Sequence, residues 1–292
     1  GNLAAVDAML RGDTAPQSQT TAFANVVDYL DTGSAGRFGT NNAFPGATAA
    51  DDDDFGIEAT AMVYIAEAGT YTFGNNSDDG ARIQVQGVRV VNADQAQGTT
   101  DAFGTMTFEK AGFYDLRYTY FERAGGASAE LFAAKGAHTV WDAGAFRLVG
   151  DVAAGGLAVY SPKGWLADAS GSWSSAANWR DGEIADGADA FTTFSLVDLS
   201  ADRTITIGDS ETVTMGHVRF GDVDVTGGPH GWTVAGAGTL ELIATTGQPV
   251  LDVVNSQATI EATLSADSGF EKQGDGTLLL AGTQTYTGNA TV

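Results

Sequence analysis

Residues 71–85 read YTFGNNSDDGARIQV, and this stretch decides the fold of the first half of the chain. Runs rich in β-branched and aromatic residues flank a polar segment, which contains two adjacent carboxylates, Asp78 and Asp79. In residues 83–86 polar and apolar side chains alternate, which predicts a strand with one buried face. The stretch therefore predicts two strands joined by an acidic turn, and it raises the question of whether that turn holds a cation.

The rest of the chain follows the same pattern of short strands. The 292 residues include 39 glycines, which recur every few positions between runs rich in Val, Ile, Thr, Phe and Tyr. This pattern predicts an all-β protein. The best helix candidate is residues 3–10, because Leu3, Val6 and Met9 fall on one face before Gly12 ends the run.

Composition excludes several classes of partner and chemistry. The 37 acidic and 14 basic residues give a formal charge of −23, so nucleic acid and anionic membranes would be repelled. The absence of cysteine excludes thiol catalysis, disulfides and thiolate zinc sites. No apolar run approaches the roughly 18 residues that span a bilayer, so membrane insertion is not expected. Because the chain opens with Gly1, we interpret it as a mature or excised segment of an extracellular or cell-surface protein.

A shift in composition divides the chain. Residues 151–164, DVAAGGLAVYSPKG, combine small residues, paired glycines and a proline, which is typical of a linker. We therefore predict a first domain over 1–150, a linker over 151–164 and a second domain over 165–292. In the second domain the strands become shorter and more evenly spaced, which favours a solenoid whose turns pack on their neighbours.

The residues of the acidic turn leave two interpretations open. A Ca²⁺ site needs about six to eight oxygen ligands. Neighbouring side chains on an extended backbone point to opposite faces, so Asp78 and Asp79 converge on one ion only if the backbone bends sharply, for example through a cis peptide. Without such a bend, Asn-Ser-Asp-Asp-Gly is an ordinary hairpin turn.

Two segments resemble a known family. They are YTFGNNSDDGARIQVQGVRVV, residues 71–91, and KAGFYDLRYTYFERAGGASAELFAA, residues 110–134. Both are similar to the PA14 domain, a β-sandwich module of bacterial toxins, glycosidases and yeast adhesins. The resemblance covers roughly residues 13–150 and implies a PA14-like β-sandwich.

The same resemblance implies a binding site. In adhesive members of the family, adjacent aspartates joined by a cis peptide hold Ca²⁺, and the ion holds sugar hydroxyls. Carried over to this chain, the resemblance implies the following ligands: Asp78, Asp79, the Glu122 side chain, and the backbone carbonyls of Ala124 and Gly126. It also implies Ca²⁺ as cofactor and glycans or cell-surface polysaccharide as partners. Glu122 stands where the yeast adhesins have an asparagine, so a third carboxylate would strengthen metal binding and leave less charge for sugar oxygens.

A run of four acids precedes this site in the chain. It consists of Asp51, Asp52, Asp53 and Asp54. Four consecutive like charges usually form a solvated loop that repels itself. The alternative is that this loop closes over the ion held by the acidic turn.

Three tryptophans, Trp165, Trp173 and Trp179, open the second domain in a background of Gly, Ser and Ala. If they were exposed in a row they would form a platform for sugars, and if buried they would cap the end of a solenoid. We favour the cap, because the terminal turn of a solenoid must cover its core.

The second domain also resembles a family. Residues 165–182, WLADASGSWSSAANWRDG, are similar to the entry segment of autotransporter-like repeat proteins, and residues 269–292 are similar to the autotransporter-associated β-strand repeat. The resemblance implies a right-handed parallel β-solenoid over 165–292. Exposed strand edges recruit other strands, so the last rung is predicted to be an edge for head-to-tail assembly. Its residues are Leu278, Leu280, Tyr286 and Val292.

No G-x-S-x-G, P-loop or H-E-x-x-H motif is present, so we expect no catalysis, although a carboxylate pair for glycoside hydrolysis is left open. The preferred interpretation is a non-catalytic extracellular adhesin, with a PA14-like head that binds calcium and carbohydrate on a solenoid stalk. The alternative is a structural subunit that assembles head to tail into an extracellular fibre or coat.

Overall fold

The computed structural model describes residues 1–31, 34–47, 52–223, 225, 228–245 and 247–292. The chain divides into two compact units, Gly1–Tyr160 and Ser161–Val292. The segment predicted as a linker, 151–164, is shared between them. Its strand Val159–Tyr160 pairs within the first unit, and its strand Lys163–Gly164 pairs within the second.

The described part of the first unit contains one α-helix, one 3₁₀ helix and ten strands. The helices are α1 (Leu3–Leu10) and the 3₁₀ turn Val152–Ala154. The strands are β1 (Asp28–Leu30), β2 (Phe55–Ile65), β3 (Gly69–Asp78), β4 (Gly80–Val85), β5 (Val88–Ala93), β6 (Thr100–Phe108), β7 (Gly112–Glu122), β8 (Ser128–Lys135), β9 (Arg147–Leu148) and β10 (Val159–Tyr160).

These strands form two antiparallel sheets, which we call the first and second sheets. In the described residues the order of the first sheet is β1-β8-β3-β6, with β9 also paired to β8, and the order of the second is β10-β2-β7-β4-β5. Fully buried side chains from both sheets form one core, including Phe73 of the first sheet and Ile83 and Tyr118 of the second. The predicted β-sandwich is confirmed.

The helix predicted over residues 3–10 is confirmed with the same bounds. The Asn2 side chain accepts a hydrogen bond from the Ala5 amide and so caps the helix. Leu3 and Val6 are buried in a small cluster on the outer side of the second sheet. Asp7 of the helix accepts two hydrogen bonds from the Arg82 guanidinium, at 2.6 and 3.0 Å. The Arg82 guanidinium therefore pairs with an acid of the helix.

The described part of the second unit contains two 3₁₀ helices, Ala176–Asn178 and Arg180–Gly182, and fourteen strands. The strands are β11 (Lys163–Gly164), β12 (Gly171–Ser172), β13 (Phe191–Thr193), β14 (Arg203–Thr206), β15 (Thr212–Met215), β16 (His217–Phe220), β17 (Trp232–Ala235), β18 (Thr239–Leu242), β19 (Val250–Val253), β20 (Gln257–Ile260), β21 (Thr263–Ser265), β22 (Phe270–Gln273), β23 (Thr277–Leu280) and β24 (Ala290–Thr291).

All three described sheets of this unit are parallel. Their orders are β11-β13-β16-β19-β22-β24, β12-β14-β17-β20-β23 and β15-β18-β21, so successive turns of the chain add one strand to a sheet. Inward side chains stack in register, as in Ile205, Val234 and Ile260, which are all fully buried. This is the architecture of a parallel β-solenoid. Its right-handed sense and its kinship with the autotransporter-associated repeat stay predictions.

The three tryptophans at the start of the second unit are buried. Trp165, Trp173 and Trp179 are at most 1% exposed, and their rings pack edge to face. The Trp173 indole N–H donates to the Ala185 carbonyl at 2.7 Å, so its polar atom is satisfied inside the core. This burial excludes the exposed sugar platform and agrees with a cap.

The predicted assembly edge is largely packed. Leu278, Leu280 and Tyr286 are partly buried against the core of the second unit, and the Tyr286 ring lies 5.4 Å from that of Phe270. Val292 is fully exposed. Head-to-tail assembly into a fibre or coat stays a prediction.

Candidate functional site

The acidic turn connects the two sheets of the sandwich. Strand β3 ends at Asp78 in the first sheet, and β4 begins at Gly80 in the second. The hairpin interpretation is therefore wrong, because the two strands pair with other partners and not with each other. The peptide bond between Asp78 and Asp79 is cis. The turn lies at one end of the sandwich, where the chain crosses from layer to layer.

Asp79 ties this crossing to two neighbouring loops. Its carboxylate is 6% exposed and accepts backbone N–H groups from Gln97 at 2.7 Å and from Arg123 at 2.9 Å, one on each oxygen. Its own N–H donates to Glu122 Oε2 at 3.1 Å. Asp79 and the predicted partner loop are therefore in direct contact.

Glu122 ends strand β7 and faces the interior on the same side as Tyr120. The side chain is 1% exposed. The Tyr120 hydroxyl lies 3.2 Å from Glu122 Oε2 and donates a short hydrogen bond to the Asp78 carbonyl. Glu122 Oε1 is buried and has no hydrogen-bond partner among the described residues. Buried carboxylate oxygens in proteins usually have a hydrogen-bond donor or a bound ligand as a partner.

The acids of this site destabilise one another. Burial raises the pKa of Glu122 to about 7, and the charge of Asp79 adds to that rise. Burial also raises the pKa of Asp78, again with a contribution from Asp79, although Ser34 Oγ donates to Asp78 Oδ2 at 3.3 Å. Raised carboxyl pKa values mean that the charged forms are disfavoured, and a bound cation would reverse this.

The loop after Glu122 carries the two predicted carbonyl ligands, Ala124 and Gly126. The Ala124 backbone lies close enough to the Glu122 carboxylate to lower its pKa slightly, against the larger effect of burial. Gly125 lies between them with a φ of 98°, a conformation that favours glycine. The Arg123 N–H, which donates to Asp79 Oδ2, holds this loop against the acidic turn.

The run of four acids contributes to the same end of the sandwich. Asp51 lies outside the described residues. Asp53 Oδ1 accepts the Gly125 N–H at 2.9 Å, which brings this run to the loop that carries the predicted carbonyls. Asp52 is half-buried, and Asp54 is exposed with a φ of 55°. Asp53 therefore fits the interpretation in which this segment closes over the turn.

Sequence reasoning missed two side chains of the site, Asp31 and Tyr120. Asp31 directly follows β1, accepts the Ala127 N–H, and its charge helps to raise the pKa of Asp78. The signal that points to Tyr120 is the alternation along β7, which places Tyr118, Tyr120 and Glu122 on one face. Asp31 has no comparable local signal, because strand pairing alone brings it to this end.

The carboxylates do not form a closed metal cage. Within the part of the chain that the structure describes, His, Cys, Asp and Glu side chains form no group of three or more arranged to hold a metal ion. Both oxygens of Asp79 are directed to backbone amides. The calcium site therefore stays a prediction, in which carbonyl oxygens must supply part of the ligand set.

Comparison with known proteins identifies the family of a segment within the first unit. The family model described as the PA14 domain matches residues 18–142. These residues form a PA14 domain. The matched segment excludes helix α1, strands β9 and β10 and the whole second unit.

Similar proteins include one curated relative and several solved structures. An anti-sigma-I factor of Acetivibrio thermocellus is 30% identical over 79 residues, which is 27% of this chain and 12% of that protein's length. A PA14 sugar-binding domain from an RTX adhesin is 22% identical, with 49% of this chain and 85% of that chain covered and a TM-score of 0.35. The PA14 domain of an antifreeze protein is 24% identical over 33% of this chain and 51% of that chain, with a TM-score of 0.29.

In the described residues, no helix is both long and apolar enough to cross a membrane.

Proposed function

We propose that the PA14 domain binds Ca²⁺ at the end of the sandwich and that the bound ion holds hydroxyl groups of a carbohydrate. The ligands are the carboxylates of Asp78, Asp79 and Glu122 and the carbonyls of Ala124 and Gly126. The observation that carries this proposal is Glu122 Oε1, a buried carboxylate oxygen without a hydrogen-bond partner among the described residues, next to two further acids.

The donor set fits the ion in chemical type. Ca²⁺ prefers oxygen ligands and accepts carboxylates together with backbone carbonyls. Although Asp79 accepts two amide hydrogen bonds, each carboxylate oxygen has a second lone pair that a cation can use. A divalent ion would also offset the unfavourable burial of Glu122 as an anion.

The position of the site at the surface supports the proposed carbohydrate binding. Asp78 is half-buried, so one side of the proposed ion faces solvent, where sugar hydroxyls would replace water. In this proposal the ion supplies the attraction for hydroxyl oxygens, and the chain's residues hold and orient it. We place the protein outside the cell or at its surface as a non-catalytic adhesin, with the solenoid unit as its stalk.

A glycan array tests this function. We expect the full chain to bind a subset of carbohydrates in calcium, and we expect the bound signal to fall at least tenfold when a chelator is added. A tenfold loss of affinity corresponds to about 1.4 kcal/mol of binding free energy. In the presence of calcium, the Asp79→Asn variant should give the same low signal that the wild type gives in chelator. Asp115→Asn is the matched control, because Asp115 is an exposed acid on β7 and should leave binding intact.

Binding that is equal with and without chelator would contradict the proposal and would point to another site. An absence of binding by a protein that does bind calcium would remove the carbohydrate role and leave the metal role.

A further inference from the structure

A second row of polar side chains crosses the first sheet at the level of Asn76, two residues before Asp78 along β3. In the strand register Asp28 of β1 lies opposite Glu130 of β8, Glu130 lies opposite Asn76 of β3, and Asn76 lies opposite Asp101 of β6. Directly paired residues project from the same face of a sheet, so these four side chains form a row. We call them the outer row.

The outer row lies on the face away from the sandwich core. Ala129 and Leu131, the neighbours of Glu130 along β8, belong to the core between the sheets, so Glu130 projects the other way. The row is nevertheless covered. Asp28 and Glu130 are both 0% exposed, and Asn76 is 3% exposed.

The charges of the outer row do not balance. In the described residues, Arg37 is the cation that contacts the row, and its guanidinium is bonded to both oxygens of Asp101, at 2.7 and 3.2 Å. Glu130 accepts backbone N–H groups of Arg37 and Phe38 at 2.8 Å, which satisfy its hydrogen bonds but carry no net charge. The charge of Arg37 also reaches Glu130, so three carboxylates of the row, Asp28, Glu130 and Asp101, share one cation of the described residues, and two of these acids are fully buried. Such a pair needs a cation or a proton between its members.

Two buried oxygens mark where a ligand would sit. Asp28 Oδ2 accepts the Asn41 N–H at 3.2 Å, whereas Oδ1 has no hydrogen-bond partner among the described residues. The Asn76 amide nitrogen donates to Asp101 on β6 at 2.6 Å, which leaves the amide oxygen as the second polar atom of a side chain that Glu130 of β8 flanks on the other side. That oxygen, too, is buried and has no partner in the described part of the chain.

We propose that a hard cation, with Ca²⁺ as the ion that fits the donors, binds in the outer row between Asp28, Glu130 and Asn76. Two carboxylates and an amide oxygen are the ligand types that Ca²⁺ takes in proteins, and water or backbone carbonyls complete its shell. The ion neutralises the two buried acids and fixes the segment that contains Arg37 and Phe38 to the sheet through Glu130. This site does not depend on the proposed function, because it shares no ligand with the acidic turn.

Calorimetric titration of CaCl₂ into the metal-free full chain at neutral pH tests the proposal. We expect two ions per chain for the wild type, one for Asp28→Asn, one for Asp79→Asn, and none for the double variant. Asp28→Asn keeps the shape of the side chain and removes its charge, and Glu130→Gln is a second variant with the same expected result if Asp28→Asn does not fold. Circular dichroism establishes that each variant is folded.

The outcomes separate the two sites. One ion for the wild type and none for a folded Asp28→Asn would support the outer row and contradict the calcium site of the acidic turn. One ion for the wild type and none for a folded Asp79→Asn would overturn the outer row. Two ions in both Asp28→Asn and Glu130→Gln would also overturn it, since neither acid would then hold a cation. If these variants change stability with pH but not with calcium, the pair shares a proton and the proposal is wrong.

Discussion

The Asp79→Asn variant of the full chain is expected to gain less thermal stability from calcium than the wild type does. A ligand at about one hundred times its Kd stabilises the native state by about 2.7 kcal/mol. For a unit of this size, each kcal/mol shifts the melting temperature by about 2–4 °C. We therefore expect the first unit of the variant to gain about 5–10 °C less than the wild-type unit. Differential scanning calorimetry with and without calcium measures this difference.

The comparison uses the calcium-dependent rise rather than the melting temperature itself. Asn at position 79 has one oxygen for the two amides that Asp79 binds, so the metal-free variant also changes in stability. Asp115→Asn removes an exposed charge from the same unit and should keep the full rise. Equal rises for wild type and Asp79→Asn would show that Asp79 holds no calcium.

The Glu122→Gln variant is expected to flatten the dependence of metal-free stability on pH. The pKa of Glu122 in the folded protein is about 7, above its ordinary value of 4.5. A raised pKa means that the folded state binds this proton more tightly than the unfolded state does. Its stabilising contribution is therefore complete below about pH 4.5 and is lost as the pH rises through about 7. The loss is of the order of 3 kcal/mol for such a shift, and chemical denaturation in chelator at several pH values measures it.

Asp78 and Glu130 also have raised pKa values, so Glu122→Gln should leave a smaller slope rather than none. Glu109→Gln, at an exposed position, is the matched control and should retain the full wild-type slope. Calcium should suppress the slope in the wild type, because the ion replaces the proton as the partner of the carboxylate. A wild-type slope in Glu122→Gln would mean that other groups cause the pH dependence.

Local signals in the sequence were sufficient for much of the first unit. The apolar spacing in Leu3–Leu10 predicts the observed helix, and the alternation around Ile83 predicts a strand that buries one face. The resemblance to PA14 domains implies the cis peptide between Asp78 and Asp79 that the structure contains. These features depend on residues close together in the chain.

Features that depend on distant residues were missed. An Asn-Ser-Asp-Asp-Gly segment suits a hairpin as well as a crossing between sheets, and only the pairing of β3 and β4 with other strands decides between them. Arg82 lies four residues after Asp78 but pairs with Asp7, which the helix brings over the second sheet. The outer row could not be predicted from the sequence either, because Asp28 and Glu130 are far apart in the chain and come together only through the register of β1 and β8.

In the second unit the sequence predicted the solenoid but not its exact limits. The chain divides after Tyr160, inside the stretch that composition suggests is a linker. Short strands such as Lys163–Gly164 carry almost no periodic signal, so two residues of pairing cannot be distinguished from loop by composition. The burial of Trp173 followed from the need to cover the solenoid core.

Anomalous X-ray scattering from crystals of the full chain grown in calcium tests the central claim most directly. We predict an anomalous peak within about 2.3–2.6 Å of Glu122 Oε1 and of carboxylate oxygens of the acidic turn. A map at saturating calcium with no peak there, and with water bonded to Glu122 Oε1, would contradict the claim that this end of the PA14 domain is a calcium site.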